Sequence, residues 1–165
     1  MSNNIVGYKC FNNDLTNNYN QKVEFNRIYS CSEPIKYKHC GFHFCMRLED
    51  TLRFFDGLKE DIIICKVNVL GNVDWYDDEY YGYYDMGCTN KIYIGNPMSR
   101  KEIIEYADNL YEDNFIRFIQ GFKLNHDELT YFKLKFKSNN NILKNLKYFQ
   151  EGYCLAFTKH RELKK

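Results

Sequence analysis

Apolar residues come in short alternating bursts over the first ninety-odd positions and at helical spacing after that. Ile5 to Phe11, IVGYKCF, predicts a strand. Asn12 to Gln21 is polar and turn-rich. Val23 to Tyr29 alternates at the period of a half-buried strand but slips near Arg27. Ser32-Glu33-Pro34 breaks that pattern, and Ile35 to His39 predicts a further short strand. In Gly41 to Cys45, Phe42, Phe44 and Met46 share one face, with His43 and Cys45 on the other. Leu48, Thr51, Leu52 and Phe55 then recur at helical spacing. They predict a helix over 48–55 with Glu49, Asp50 and Arg53 facing out and Asp56-Gly57 ending it. Ile62 to Leu70 is the strongest strand signal in the chain, apolar on both faces early and alternating later, as in a central strand. The expected arrangement sets this strand beside the Phe42 strand, with the 48–55 helix against their face.

Gly71-Asn72 reads as a turn. Asp74 to Asp85, DWYDDEYYGYYD, is an acidic, Tyr-dense hairpin or loop, and Asn90 to Ile94 is another strand, ended by Gly95-Asn96-Pro97. That makes five or six strands. Ser99 with Glu102 forms a capping-box pattern, followed by Ile103, Tyr106, Ala107 and Leu110 at helical spacing. A second helical pattern runs through Phe115, Ile116, Phe118, Ile119 and Phe122, and Asn141 to Phe149 is helical again. Asp127 to Phe136 does not settle its period, and Tyr153 to Phe157 is a short apolar run, strand or buried helix. The fold class is α+β: a twisted mixed or antiparallel sheet in a β-rich domain over 1–97, with a helical extension over 98–165 packed on it.

Composition narrows the function more than the fold. Lys plus Arg is 23 against 22 for Asp plus Glu, so no global field draws the chain to nucleic acid or an anionic membrane. No window approaches a membrane span, and the first residues lack the basic-then-apolar pattern of a signal peptide. The expected setting is intracellular, host cytoplasm or virion. Seven Cys is an odd number, which favours reduced thiols over a disulfide framework. No cofactor is expected.

Four constellations bear chemistry. Cys40, His43 and Cys45, with Cys31 and His39 nearby, mix soft ligands that zinc accepts. The spacing departs from paired Cys-x-x-Cys knuckles, so ordinary buried thiols beside a positioned His are the favoured reading. Cys with His43 or His39 is also a candidate thiolate–imidazolium pair, weighed against simple packing. Asp77, Asp78, Glu79 and Asp85 are candidates for a divalent ion or a solvated loop. Tyr131 to Lys137, with Lys144, Lys147 and Tyr148, interleaves aromatics and cations, which suits a nucleic-acid or protein surface or an ordinary amphipathic strand.

Gly7-Tyr8-Lys9-Cys10-Phe11, Gly41-Phe42-His43-Phe44-Cys45, Lys66-Val67-Asn68-Val69-Leu70-Gly71 and Cys88-Thr89-Asn90-Lys91-Ile92-Tyr93-Ile94 occur in that order. Together they resemble an uncharacterised domain family of phages, bacteria and large DNA viruses, over residues 5 to 95. The Asn- and Tyr-rich style is similar to that of giant viruses of amoebae. A more distant resemblance is to ADP-ribosyltransferases of the poly-ADP-ribose polymerase type. It implies Gly41 to Phe44 at their glycine-led strand, Tyr8-Lys9 in place of a Tyr-His pair, and Lys91 in place of the catalytic Glu. Lys at that position opposes a cationic transition state, so the resemblance implies a degenerate transferase-like cleft. Tyr8, Lys9, His43 and Asn90 are then the candidate ligand-binding residues, and Lys9, His43 and Lys91 the candidate catalytic ones. The leading expectation is a non-enzymatic binding or interaction protein with a protein or small-nucleotide partner. The alternatives are a nucleotide- or NAD-dependent transferase and a small zinc-binding protein.

Overall fold

A computed structural model describes residues 5–15, 22–32, 35, 41–55, 58, 61–76 and 86–152. Two compact units divide the chain, Met1–Phe54 with Asp61–Glu102 and Phe55–Glu60 with Ile103–Lys165.

The first unit holds one antiparallel sheet. Its strands are β1 (Ile5–Phe11), β2 (Arg27–Ser30), β3 (Phe42–Cys45), β4 (Ile63–Val69), β5 (Val73–Tyr76), β6 (Met86–Thr89) and β7 (Lys91–Pro97), in the order β2-β7-β4-β1-β3-β6-β5. All pairings are antiparallel. β1 and β4 pair along their whole length, from Ile5 opposite Val69 to Phe11 opposite Ile63. β1 and β3 meet at one position only, Tyr8 opposite Cys45.

The sheet is bent double at that sparse junction. β2 and β3 stand four places apart, which is about 19 Å across a flat sheet. Yet the rings of Tyr29 and Phe42 lie 6.1 Å apart. β6 and β7 also stand four places apart, but only Asn90 separates them in sequence. The two arms therefore fold over one shared core, in which Phe44 of one arm packs with Phe11, Val67, Val69, Ile92 and Ile94 of the other. Phe44 is steadied from its own arm by Trp75, edge-on at 5.7 Å.

Several expectations change. β1 lies between the Phe42 strand and the Ile63 strand, so those two belong to one sheet without being neighbours and stand on opposite arms of its bend. The helix after β3, α1, covers only Leu48–Leu52, and it packs against β1 and β3. Glu49 and Asp50, expected to face water, are buried, whereas Arg53 is exposed. A helix this short, seated on a bend, is enclosed on nearly all sides. The expected strand over 23–29 starts only at Arg27, because Asn26 takes a left-handed φ of 57° that breaks the extended run. Val23 still reaches the core from outside the strand. Ile35 is not in a strand, and the rest of the segment expected there lies outside the described residues. β6 was unexpected: Met-Gly-Cys-Thr carries little strand signal, yet all four residues are buried.

The boundary between the units falls within α2 (Arg100–Asp108). Ser99 and Glu102 form the anticipated box: Glu102 N donates to Ser99 Oγ at 3.2 Å, and Ser99 N donates to Glu102 Oε2 at 2.7 Å. In the second unit, α3 (Glu112–Gly121), α4 (His126–Lys135) and α5 (Asn140–Asn145) are followed by a π-helical turn, Leu146–Gly152. The Phe115, Phe118, Ile119 stripe of α3 is fully buried, and the Phe115 ring lies 4.7 Å from Phe132 and 4.8 Å from Phe136. The ambiguous 127–136 stretch is thus a helix, started by Asn125 and Glu128 in a second capping box. Gln150, buried in the π turn, closes the end of α3. Its Nε2 donates to the carbonyls of Ile119 (2.6 Å) and Phe122 (2.9 Å), and its Oε1 accepts from Leu124 N at 3.0 Å.

Candidate functional site

The seam between β1 and β3 collects the chemistry. With one ladder position between them, the strands leave backbone groups that regular pairing would satisfy. Lys9 fills the gap: its Nζ donates to the His43 carbonyl at 2.8 Å. Tyr8 and Cys45 face each other at the bridge, and His43 faces Cys88 across β3 and β6. Cys10 lies two residues beyond Tyr8, its Sγ 2.6 Å from Thr51 Oγ1. That hydroxyl already donates to the Leu48 carbonyl, so the thiol is the donor in the Cys10–Thr51 contact.

Electrostatically the seam favours neutral forms. Burial, and secondarily the Lys9 charge, holds the His43 imidazole below its ordinary range. Burial also depresses the Lys9 ammonium. Burial, then the Asp50 charge, pushes the Cys45 thiol up to about 12. Burial pushes Cys10 higher still, and Cys65 to about 12. Burial and the neighbouring Glu49 raise the Tyr8 phenol. These thiols are held in the protonated form at neutral pH, which disfavours a resting thiolate nucleophile. Cys40 lies outside the described residues, and among those residues no group of three or more His, Cys, Asp or Glu is placed to hold a metal ion.

Of the residues singled out in the sequence, Tyr8, Lys9, His43 and Cys45 come together. Lys91 and Asn90 stand elsewhere. Ile92 pairs with Val69, and Val69 with Ile5, so Lys91 lies past the Ile5 end of the sheet. Lys9 is about 16 Å further along the strand direction, two strands across. Lys91 is exposed and paired with Ser30 on the edge strand. Asn90 is a corner residue: its Oδ1 accepts from Asn72 N at 3.1 Å and its carbonyl accepts from Cys31 N at 2.9 Å. Thr51 and Cys88 also belong to the seam: helical spacing puts Thr51 on the inward face of α1 and Cys88 opens the fourth motif, but nothing in the sequence joins either to Lys9 or His43.

Among the described residues no helix is long and apolar enough to cross a membrane. Neither the curated proteins nor the solved structures contain a match to the chain. A family model matches residues 5–105, which is the whole sheet with its seam and the start of α2. The chain belongs to that family, described as a domain of unknown function, DUF7666.

Proposed function

We propose that the β1/β3 seam receives a small, nucleotide-sized ligand and that the protein is a binding or interaction module. The observation that carries this reading is the one-position β1/β3 junction, where the Lys9 ammonium donates to the His43 carbonyl at the place where the sheet is least closed. The protonated thiols argue against a cysteine hydrolase. With Cys45 near 12, on the order of one thiol in 10^5 is ionised at pH 7.

The rival reading is an NAD-dependent transferase. Its support is that Tyr8, Lys9 and His43, the residues assigned to such a cleft, are adjacent. Against it stands the remoteness of Lys91, which leaves Lys9 and His43 without the third candidate catalytic residue. Incubation with NAD, ADP-ribose and ATP separates the two. A raised thermal midpoint without nicotinamide release fits the binding module. Release abolished by His43→Ala fits the transferase. No shift and no release with any of them removes the nucleotide and leaves a protein partner.

A further inference from the structure

The two sides of the β2-β7-β4-β1 arm are covered unequally. Val67 and Val69 of β4 and Ile92 and Ile94 of β7 point into the shared core. The alternate positions, Lys66, Asn68, Lys91 and Tyr93, point the other way and are exposed or half-buried. Register extends that outer side across four strands: Ile28 stands opposite Tyr93, Tyr93 opposite Asn68, and Asn68 opposite Val6. Tyr8 stands opposite Lys66 in the next outward row. Val6, Ile28 and Leu70, exposed by 46%, 53% and 45%, leave large apolar side chains in water on this one side. The outward positions of these four strands carry Lys66 and Lys91 and no carboxylate. Among the described residues neither lysine forms an ion pair, and Glu102, which feels the Lys66 charge, is bonded to Ser99. Tyr93 is held in place from its far end. Its hydroxyl donates to Asn26 Oδ1 at 3.1 Å, and Asn26 Nδ2 donates to Asn96 Oδ1 at 2.6 Å. A side-chain carbon at Gly95 would stand 3.9 Å from Tyr93 Cε1, so the ring lies along β7 toward a position that has no side chain of its own.

We propose that this outer side of the sheet binds single-stranded nucleic acid, with Tyr93 and Tyr8 stacking on bases and Lys66 and Lys91 meeting phosphates. Strand geometry sets the two tyrosine backbones about 12 Å apart and the two lysine backbones about 14 Å apart, room for a few nucleotides. The charge of the surface is complementary to a phosphate chain, and a ring already pinned at its hydroxyl loses little freedom when a base stacks on it. A duplex covers its base faces by its own stacking, so such rings serve an unpaired strand. The formal net charge of +1 supplies no long-range pull, so affinity rests on stacking and on this local pair of cations. The surface is independent of the β1/β3 seam as a ligand site, because Lys9 alternates onto the opposite side of β1.

The test is fluorescence anisotropy of the full chain with a labelled mixed-sequence RNA strand of about 12 nucleotides, the same RNA as a duplex, and a labelled polyglutamate peptide. The single strand is expected to bind more tightly than either of the others. Tyr93→Leu should weaken it roughly tenfold, whereas Tyr93→Phe keeps the ring and should retain most of the affinity. Plotted logarithmically against salt, affinity should fall with a slope of about −1.4, and Lys66→Gln or Lys91→Gln should each reduce that slope by about 0.7. Lys101→Gln, on α2, should leave it unchanged. Urea midpoints equal to that of the parent chain establish that each variant is folded. A duplex bound as tightly as the single strand, a folded Tyr93→Leu variant that binds like the parent, or no binding at low salt overturns the proposal. Polyglutamate bound as tightly as RNA also overturns it, and assigns the surface to an acidic protein segment.

Discussion

Gly7 of β1 lies directly beneath the Cys45 carbonyl of β3: a side-chain carbon at Gly7 would stand 2.8 Å from that oxygen and 2.8 Å from Phe44 Cδ2. The strands cross the bend backbone against backbone, and only a residue without a side chain permits it. Gly7→Ala must therefore push β3 away or turn Phe44 out of the shared core. We expect a loss of roughly 1–3 kcal/mol, read as a lower urea midpoint. An unchanged midpoint would mean that the bend yields easily.

His43 gives the sheet unit a dependence on mildly acidic pH. Burial, then Lys9, depresses its folded pKa, so the unfolded chain binds the proton more readily. Stability from this group is present above the unfolded histidine pKa and is lost as pH falls through the folded one. His43→Gln should flatten the change in urea midpoint below about pH 6.5. A His43 NMR titration at or above that value would contradict this.

Asp108 acts at lower pH in the helical unit. Partial burial works against its carboxylate but is outweighed by hydrogen bonds from Lys135 and Tyr131, at 2.6 Å and 2.7 Å, so its pKa is lowered. The contribution is present above the ordinary Asp range and disappears as pH falls through the depressed value. Asp108→Asn should destabilise the chain at pH 7 and make little difference at pH 2. A variant with an unchanged midpoint at pH 7 would show that the network is mere surface decoration.

Gln150 is expected to matter more than any surface pair. Gln150→Leu strands the buried Leu124 N–H and two carbonyls at the end of α3. The cost should be roughly 2–4 kcal/mol. Hydrogen exchange is the direct check, with the Leu124 amide losing its protection first.

Thiol reactivity tests the electrostatics of the seam. Cys31 is partly exposed, whereas Cys10, Cys45, Cys65 and Cys88 are buried. Iodoacetamide at pH 8 should label Cys31 well before those four. Early labelling of Cys45 would mean that its thiol ionises far below 12.

Legibility in the sequence followed the strength of local patterning. β1 and β4 match their apolar runs almost residue for residue, and the Ser99–Glu102 box was readable from two side chains. The Asn125–Glu128 box is the same signal with Asn in place of Ser. β6 was hidden because its burial comes from neighbours on both sides rather than from its own apolar content. The burial of Glu49 and Asp50 was hidden for the same reason: helical spacing fixes which residues share a face, but not how many faces are covered. Tyr8, Lys9 and His43 were each visible as candidates. That they meet, while Lys91 does not join them, depends on strand order, which no local window encodes.

The one-residue link at Asn90 bears on how the chain can be divided. β6 and β7 belong to opposite arms, as do β4 and β5, and both crossings pass the same corner, where Leu70 and Gly71 donate to the Lys91 carbonyl at 2.9 Å and 3.1 Å. Each arm is thus assembled from pieces scattered through the other, and a cut anywhere between β4 and β6 leaves both incomplete. Domain dissection will find no half-size fragment in the first hundred residues, and an insertion at Asn90 should cripple the two arms together.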